Sequence, residues 1–222
     1  MKLDAPFIRL PYRFDAAAVM AELGDLDDSL WQAHPRGWEG HQAVALVSAD
    51  GQTDLTRFDG EMKATDTLAQ LPAIRHLLSA LDTVVGRTML VRADSGKDAQ
   101  RLVDAGSYWH RRVRVVLPIQ CGDQARWTVG EQASLPLPAG ESWLVDGWRG
   151  YLHSNPDSQP LIYLVVDTVG SASFWSTVNS ADRPLEPERE SVMSPRQVKL
   201  DGEPKSIETE IIRTARVMSP WE

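Results

Sequence analysis

The chain has one cysteine, Cys121, among its 222 residues. No intramolecular disulfide can form, and nothing asks for an oxidising compartment. Basic residues are outnumbered: 23 Lys and Arg against 31 Asp and Glu give a formal net charge of −8. That balance disfavours nucleic acid and anionic membrane as partners, because both reward clustered Lys and Arg. No stretch approaches the roughly 18 apolar residues of a membrane helix. The opening run MKLDAPFIRLPYRFD carries charges where a signal peptide needs an apolar core. These absences make the cytoplasm the default location. No internal repeat is visible. What is present is ordinary for a soluble globular protein: 42% hydrophobic and 24% charged residues. A chain of this length can bury a core without metal or disulfide staples.

Asp15 is placed to cap a helix over 16–23, with Val19, Met20 and Leu23 on one face. A polar, Trp-bearing stretch follows over 30–40, then a short strand over 43–47. Pro72 opens a second helix whose Ile74, Leu77, Leu78 and Leu81 form an apolar stripe. Gly86 is expected to end it, and His76 to be exposed. From residue 87 the pattern turns to strands, over 88–92, 112–119, 142–145 and 161–167, separated by turn-formers. Two helices leading into several short strands suggest a mainly β jelly-roll or cupin-like barrel with flanking α-helices. A domain over 1–177 is expected, then a Pro/Glu-rich linker near 183–196 and a tail to 222, with a terminal helix over 206–218.

The segments VDAGSYWHRRVRVVLPIQ and LPAGESWLVDGWRGYLHSNPDSQPLIYLVVDTVGSASFW resemble the aspartyl/asparaginyl β-hydroxylase family, which includes bacterial proline hydroxylases. FIRLPYRFDAA and GRTMLVRADSG add to the likeness, which covers roughly residues 6–177. The resemblance implies a double-stranded β-helix. In active relatives that fold holds Fe(II) and 2-oxoglutarate and hydroxylates an unactivated carbon.

The same alignment shows what is missing. The family's first metal motif, His-x-Asp, stands here as Leu102-Val103-Asp104. A histidine that helps hold 2-oxoglutarate falls on Val116. In the distal motif, Val145-Asp146-Gly147-Trp148-Arg149-Gly150-Tyr151-Leu152-His153-Ser154-Asn155, the second iron histidine falls on Tyr151. The 2-oxoglutarate arginine falls on Leu161. A rival register makes His153 the iron ligand through a two-residue insertion, at the cost of matching Asp146, Trp148, Arg149 and Asn155. Fe(II) needs imidazole and carboxylate ligands, and the far carboxylate of 2-oxoglutarate needs a paired cation. Leu, Val and Leu supply neither, so no metal and no cofactor are expected.

A polar set survives at the old site. Strand alternation puts Arg112, Arg114 and Val116 on one face, and Tyr151 with His153 on another. Asp104 or His153 is a candidate base and Tyr151 a candidate acid. Arg114 is a candidate anion clamp, with Arg112 and Trp148 as further substrate-binding candidates. Simpler roles stay open. Arg112 and Arg114 could pair with carboxylates, Asp104 could serve the turn before Gly106, His153 could partner Asn155, and Tyr151 could fill the space a metal leaves. Three functions follow. The first is a repurposed family member that binds a small, anionic molecule without Fe(II) or 2-oxoglutarate, working as an acid–base enzyme. The second is a non-catalytic binding or regulatory module. The third is an Fe(II)/2-oxoglutarate hydroxylase with altered ligands, His153 and Asp104. A homo-oligomer is left open.

Overall fold

Alternation of side chains along valine-rich strands decides the architecture. In strand β7 (Val113–Gln120), Val113, Val115 and Leu117 face one way, while Arg114 and Val116 face the other. The first set packs under helices and the second lines a barrel. The computed structural model describes residues 1–185, 196–198, 200, 202 and 206–212.

The larger sheet contains β1 (Phe7–Arg13), β2 (Gln32–Ala33), β3 (His41–Ala49), β4 (Gly60–Ala64), β5 (Val85–Ala93), β7, β10 (Glu141–Val145), β12 (Leu161–Thr168), β13 (Arg196–Gln197) and β14 (Ile211–Ile212). Its order is β13-β1-β10-β7-β12-β5-β3-β4-β14, with β2 on β3. The smaller sheet runs β6-β11-β8-β9, from β6 (Lys97–Asp98), β8 (Arg126–Val129), β9 (Ala133–Leu135) and β11 (Tyr151–Asn155). Named strand pairs are antiparallel except β1 with β13. The two sheets face each other as a double-stranded β-helix, as expected.

The α-helices are α1 (Ala16–Gly24), α2 (Asp66–Ala69), α3 (Pro72–Ala80) and α4 (Ala172–Asn179), with short 3-10 turns at Asp28–Leu30, Ser107–His110 and Gly147–Arg149. Asp15 caps α1 through bonds from the Ala17 and Ala18 amides. The α3 stripe buries Ile74, Leu77 and Leu78 in one cluster with Val115, Leu144 and Leu164 of the sheet. The opposite face of the sheet, including Val116, Trp143, Leu161, Tyr163 and Val165, meets Trp127, Val129 and Tyr151 of the small sheet.

Several expectations need correction. Gly86 does not end a helix. Helix α3 stops at Ala80, and Gly86 lies inside β5, where a Cβ would sit 2.7 Å from the Asp167 carbonyl oxygen. His76 is buried, with Nδ1 bonded 2.7 Å from the Pro72 carbonyl one turn back. Residues 206–212 form no helix. Their backbone pairs with strand edges, Met62 N–H to Glu210 O and Glu210 N–H to Val85 O, and β14 joins β4. Residues 213–218 of that expected helix lie outside the described residues, as does most of the Pro/Glu-rich stretch.

The expected boundary at 177 falls inside α4, and some of the described residues beyond it bind to the barrel. Asp182 pairs with Arg9, buried Arg183 with Asp4, and Glu210 with Arg112. Among the described residues no helix is long and apolar enough to cross a membrane.

Candidate functional site

Four segments converge inside the barrel. Residues 101–104 run beside β11, with Leu102 and Tyr151 exchanging two 2.8 Å backbone hydrogen bonds. The Asp104 amide then bonds the Gly147 carbonyl at 2.9 Å. A Cβ at Gly147 would collide with the Asp104 carboxylate, so glycine there lets Asp104 turn inward. On the facing sheet, Arg114 and Asp167 are register partners of β7 and β12.

Arg114 is the hub. Its Nε donates to Asp167 Oδ1 at 3.1 Å. One terminal nitrogen lies 3.1 Å from Asp104 Oδ2 and 3.3 Å from Oδ1, aligned to donate only to the latter. The same nitrogen donates to the Tyr151 hydroxyl. The guanidinium stacks 4.5 Å from the Trp109 ring. All these side chains are buried. Burial alone would lower the Arg114 pKa, but Asp104 and Asp167 outweigh it and the value rises. Burial pushes the Asp104 carboxyl up, against the pull of Arg114.

A second cluster sits nearby. His41 Nδ1 lies 2.9 Å from the Glu39 carbonyl, so it carries the proton and leaves Nε2 an acceptor. His153 Nε2–H then donates to His41 Nε2 at 3.0 Å. That leaves His153 Nδ1 a bare, buried lone pair with no partner. Burial, then the neighbouring His41, holds the His153 pKa far below the usual range. Burial drives His34 down to about 3. Trp38, Trp127 and Tyr163 pack around His153, with ring centroids 5.0–5.9 Å away.

A cavity of about 20 Å³ opens between these clusters. His34, Arg36, Arg87, Arg114, Tyr151 and Trp127 are among the residues lining it.

Of the sequence-derived candidates, Asp104, Arg114 and Tyr151 are thus brought together, and Arg114 and Tyr151 face the cavity. His153 is inside the same barrel but is turned to His41. Arg112 and Trp148 are not brought there. Arg112 lies just before β7 and is bound by Glu210, 2.9 Å from Nε to Oε2, over the Tyr108 ring. Trp148 stacks on His110 and donates to the Trp109 carbonyl at 3.4 Å. Asp146 and Asn155 fasten backbone: Asp146 accepts from the Trp148 and Leu3 amides, and Asn155 Nδ2 donates to the Asp94 and Gln159 carbonyls. Cys121 is a free thiol whose pKa burial pushes up, unsuited to attack as a nucleophile. Sequence reasoning missed the loop His34-Pro35-Arg36-Gly37-Trp38 and Arg87. The available signal was His, Arg and Trp gathered in one glycine-bounded loop.

No family model matches this chain, and no curated protein matches it. Solved structures do. An oxidoreductase of the 2OG-Fe(II) oxygenase family from Burkholderia pseudomallei matches with TM-score 0.53 and 12% identity, over 69% of this chain and 77% of that one. A prolyl hydroxylase from Trichoplax adhaerens, solved in complex with a hypoxia inducible factor oxygen degradation domain peptide fragment, matches with TM-score 0.51 and 13% identity, over 74% and 84%. At these identities the likeness shows the fold, that of the 2-oxoglutarate/Fe(II) oxygenases. What the site does rests on its own residues.

Proposed function

We propose that this chain is a repurposed relative of the aspartyl/asparaginyl β-hydroxylases that binds a small anionic molecule at the barrel mouth without Fe(II) or 2-oxoglutarate. One observation carries the reading. Val116, Tyr151 and Leu161, which stand where the resemblance expects ligands for iron or cosubstrate, are buried in one apolar cluster, and Leu102 packs against it. The third iron-site position keeps its carboxylate, Asp104, which is the counter-charge of Arg114.

The donor set does not suit iron. A carboxylate already bound to a guanidinium must lose that partner to take a cation, leaving Arg114 buried with less compensation. His153 has its Nε2 bonded to His41 and offers only the Nδ1 lone pair. Among the described residues no three His, Cys, Asp or Glu side chains gather as a metal requires. Leu161, where the resemblance places the cosubstrate arginine, offers the far carboxylate of 2-oxoglutarate no cation at that position.

The positive charge at the mouth supports an anion. Three guanidinium groups, Arg36, Arg87 and Arg114, face two carboxylates, Asp104 and Asp167, a surplus of one. Asp104, with its raised pKa, is the group here best able to hold a proton for acid–base work.

The test is metal analysis of protein purified without chelator, joined to anaerobic titration with Fe(II) and 2-oxoglutarate. Substoichiometric metal and no stabilisation by 2-oxoglutarate are expected. About one metal ion per chain, with micromolar 2-oxoglutarate raising the melting temperature, would overturn the reading.

A further inference from the structure

We propose that the segment 206–212 is an exchangeable strap, and that the groove it fills is a docking surface for the same segment of a second copy of this chain. The groove reads an extended acidic segment through its backbone and through one charge. Val85 N–H donates to the Glu208 carbonyl at 2.8 Å, Glu210 N–H to the Val85 carbonyl at 3.1 Å, and Met62 N–H to the Glu210 carbonyl at 2.9 Å. Ile211 and Ile212 then pair with Glu61 and Gly60 at the edge of β4. This is strand addition, in which main-chain bonds hold the segment and a side chain selects it. The selecting side chain is Glu210. Its carboxylate accepts two bonds from Arg112, one from Nε at 2.9 Å and one from a terminal nitrogen. Gly86 makes the room, since a Cβ there would stand 2.8 Å from Glu210 Oε2.

The receptor is built independently of the strap. The other terminal nitrogen of Arg112 donates to the Tyr108 carbonyl at 2.6 Å, and the guanidinium lies 4.1 Å over the Tyr108 ring. The Tyr108 hydroxyl in turn donates to Asp167 Oδ2 at 3.3 Å. These contacts hold the guanidinium fork in place. A departing strap therefore leaves two aimed donors and a bare strand edge for the next carboxylate-bearing segment.

The strap itself is lightly held. Over 206–210 only Glu210 is buried, Ile207 is half-buried, and Ser206, Glu208 and Thr209 are exposed. Between the strap and the ends of α3 and α4 lies an open cleft of about 300 Å³, with Leu78, Asp82, Ser173 and Glu208 in its walls. Native core packing leaves no void of that size. The charged residues lining it, Asp82 and Glu208, are both negative, so the strap gains neither close packing nor charge pairing there. Gly202, exposed and at φ +92°, supplies a hinge ahead of the strap. A second copy is the occupant because it carries the whole complement: Glu210 for Arg112, Ile207 for the apolar cluster, and the same backbone register. In an exchanged pair every strap contact is made again across the pair, and mutual exchange closes as a two-fold dimer.

Two variants of the full chain test this. In Glu210→Lys the strap meets Arg112 with a like charge, and in Arg112→Glu the groove meets Glu210 with a like charge. In a mixture, each strap finds its opposite charge only on the other chain. Sedimentation velocity should show each variant monomeric alone and a 1:1 dimer in the mixture, with a dissociation constant at least tenfold below that of either self-pair. A mixture that stays monomeric would overturn the proposal. So would a dimer equally strong in either variant alone, which places the contact elsewhere. If circular dichroism shows either variant unfolded, the unaltered chain carries the test. Its dimer fraction should rise with protein concentration. An excess of a peptide of residues 206–212 should dissolve that dimer, and the same peptide carrying Glu210→Gln should not. No dimer at any concentration, or one indifferent to the peptide, would overturn the exchange.

Discussion

Acid should unfold this protein well before its carboxylates give way, because its barrel holds histidines that cannot charge. His34 is driven to about 3 from an ordinary 6.5, and His153 is held far below it, both by burial. His41, then Arg114, Arg87 and Arg36, push His34 further down. His41 and His34 do the same to His153. His41 is lowered by burial and by Lys97, while the Glu39 carbonyl, Asp94 and Asp98 oppose. For a group depressed in the fold, the unfolded chain binds the extra proton, so stability falls as pH drops through the unfolded value near 6.5. Each histidine that stays neutral in the fold loses about 2 kcal/mol between pH 7 and pH 5. His34 and His153 together therefore cost about 4 kcal/mol, or roughly 8–16 °C in melting temperature at this chain length. Asp104 and Glu22 work the other way, since their raised values favour the fold as they protonate. Comparison with variants separates the two effects. Thermal melts followed by circular dichroism from pH 8 to pH 5, at fixed ionic strength, should show the fall roughly halved in His34→Gln and again in His153→Gln. Variants with the same pH slope as the unaltered chain would refute the reasoning.

Arg114→Met should destabilise by about 3–5 kcal/mol, because it strands Asp104 and Asp167. Urea denaturation of Arg114→Met with Asp104→Asn should recover part of that loss, and strict additivity would argue against the pair. Leu161→Arg, which restores the cosubstrate cation of the resemblance, should cost about 2–5 kcal/mol by burying an unpaired charge. It should also leave melting unaffected by 2-oxoglutarate; a ligand-dependent rise would contradict the apolar pocket. Gly86→Ala should cost about 2 kcal/mol through its clash with the Asp167 carbonyl, and calorimetry showing no change would place that backbone elsewhere.

The fold was legible where a pattern was local. The α3 stripe and the valine alternation of β7 each carry their own period, and both stand as read. Elements whose reason lies across the molecule were not. Gly86 reads as a helix stop, yet its meaning is the close approach of β12 and Glu210. Residues 206–212 have apolar residues at helical spacing, yet strand edges claim their backbone. Strand β1 hides its period because Phe7, Ile8, Leu10 and Tyr12 are all buried, on both faces of the sheet.

The site divides in the same way. Parity placed Arg114 and Tyr151 inside the barrel from sequence, and the inward turn of Asp104 followed the resemblance. What parity cannot give is the partner. Arg114 meets Asp167 from 53 positions away, and that cross-strand pair changes what each charge is for. An arginine between two carboxylates is a neutralised strut, and a carboxylate salt-bridged to arginine is a poor ligand for a cation. On the proposed reading, the surviving Asp104 serves as the counter-charge of Arg114. Its companions at the cavity, Arg36 and Arg87, come from a loop and from β5, whose segment enters the resemblance without a site role. Their place beside Arg114 at the cavity is visible only once the chain is folded, so no spacing rule would have selected them.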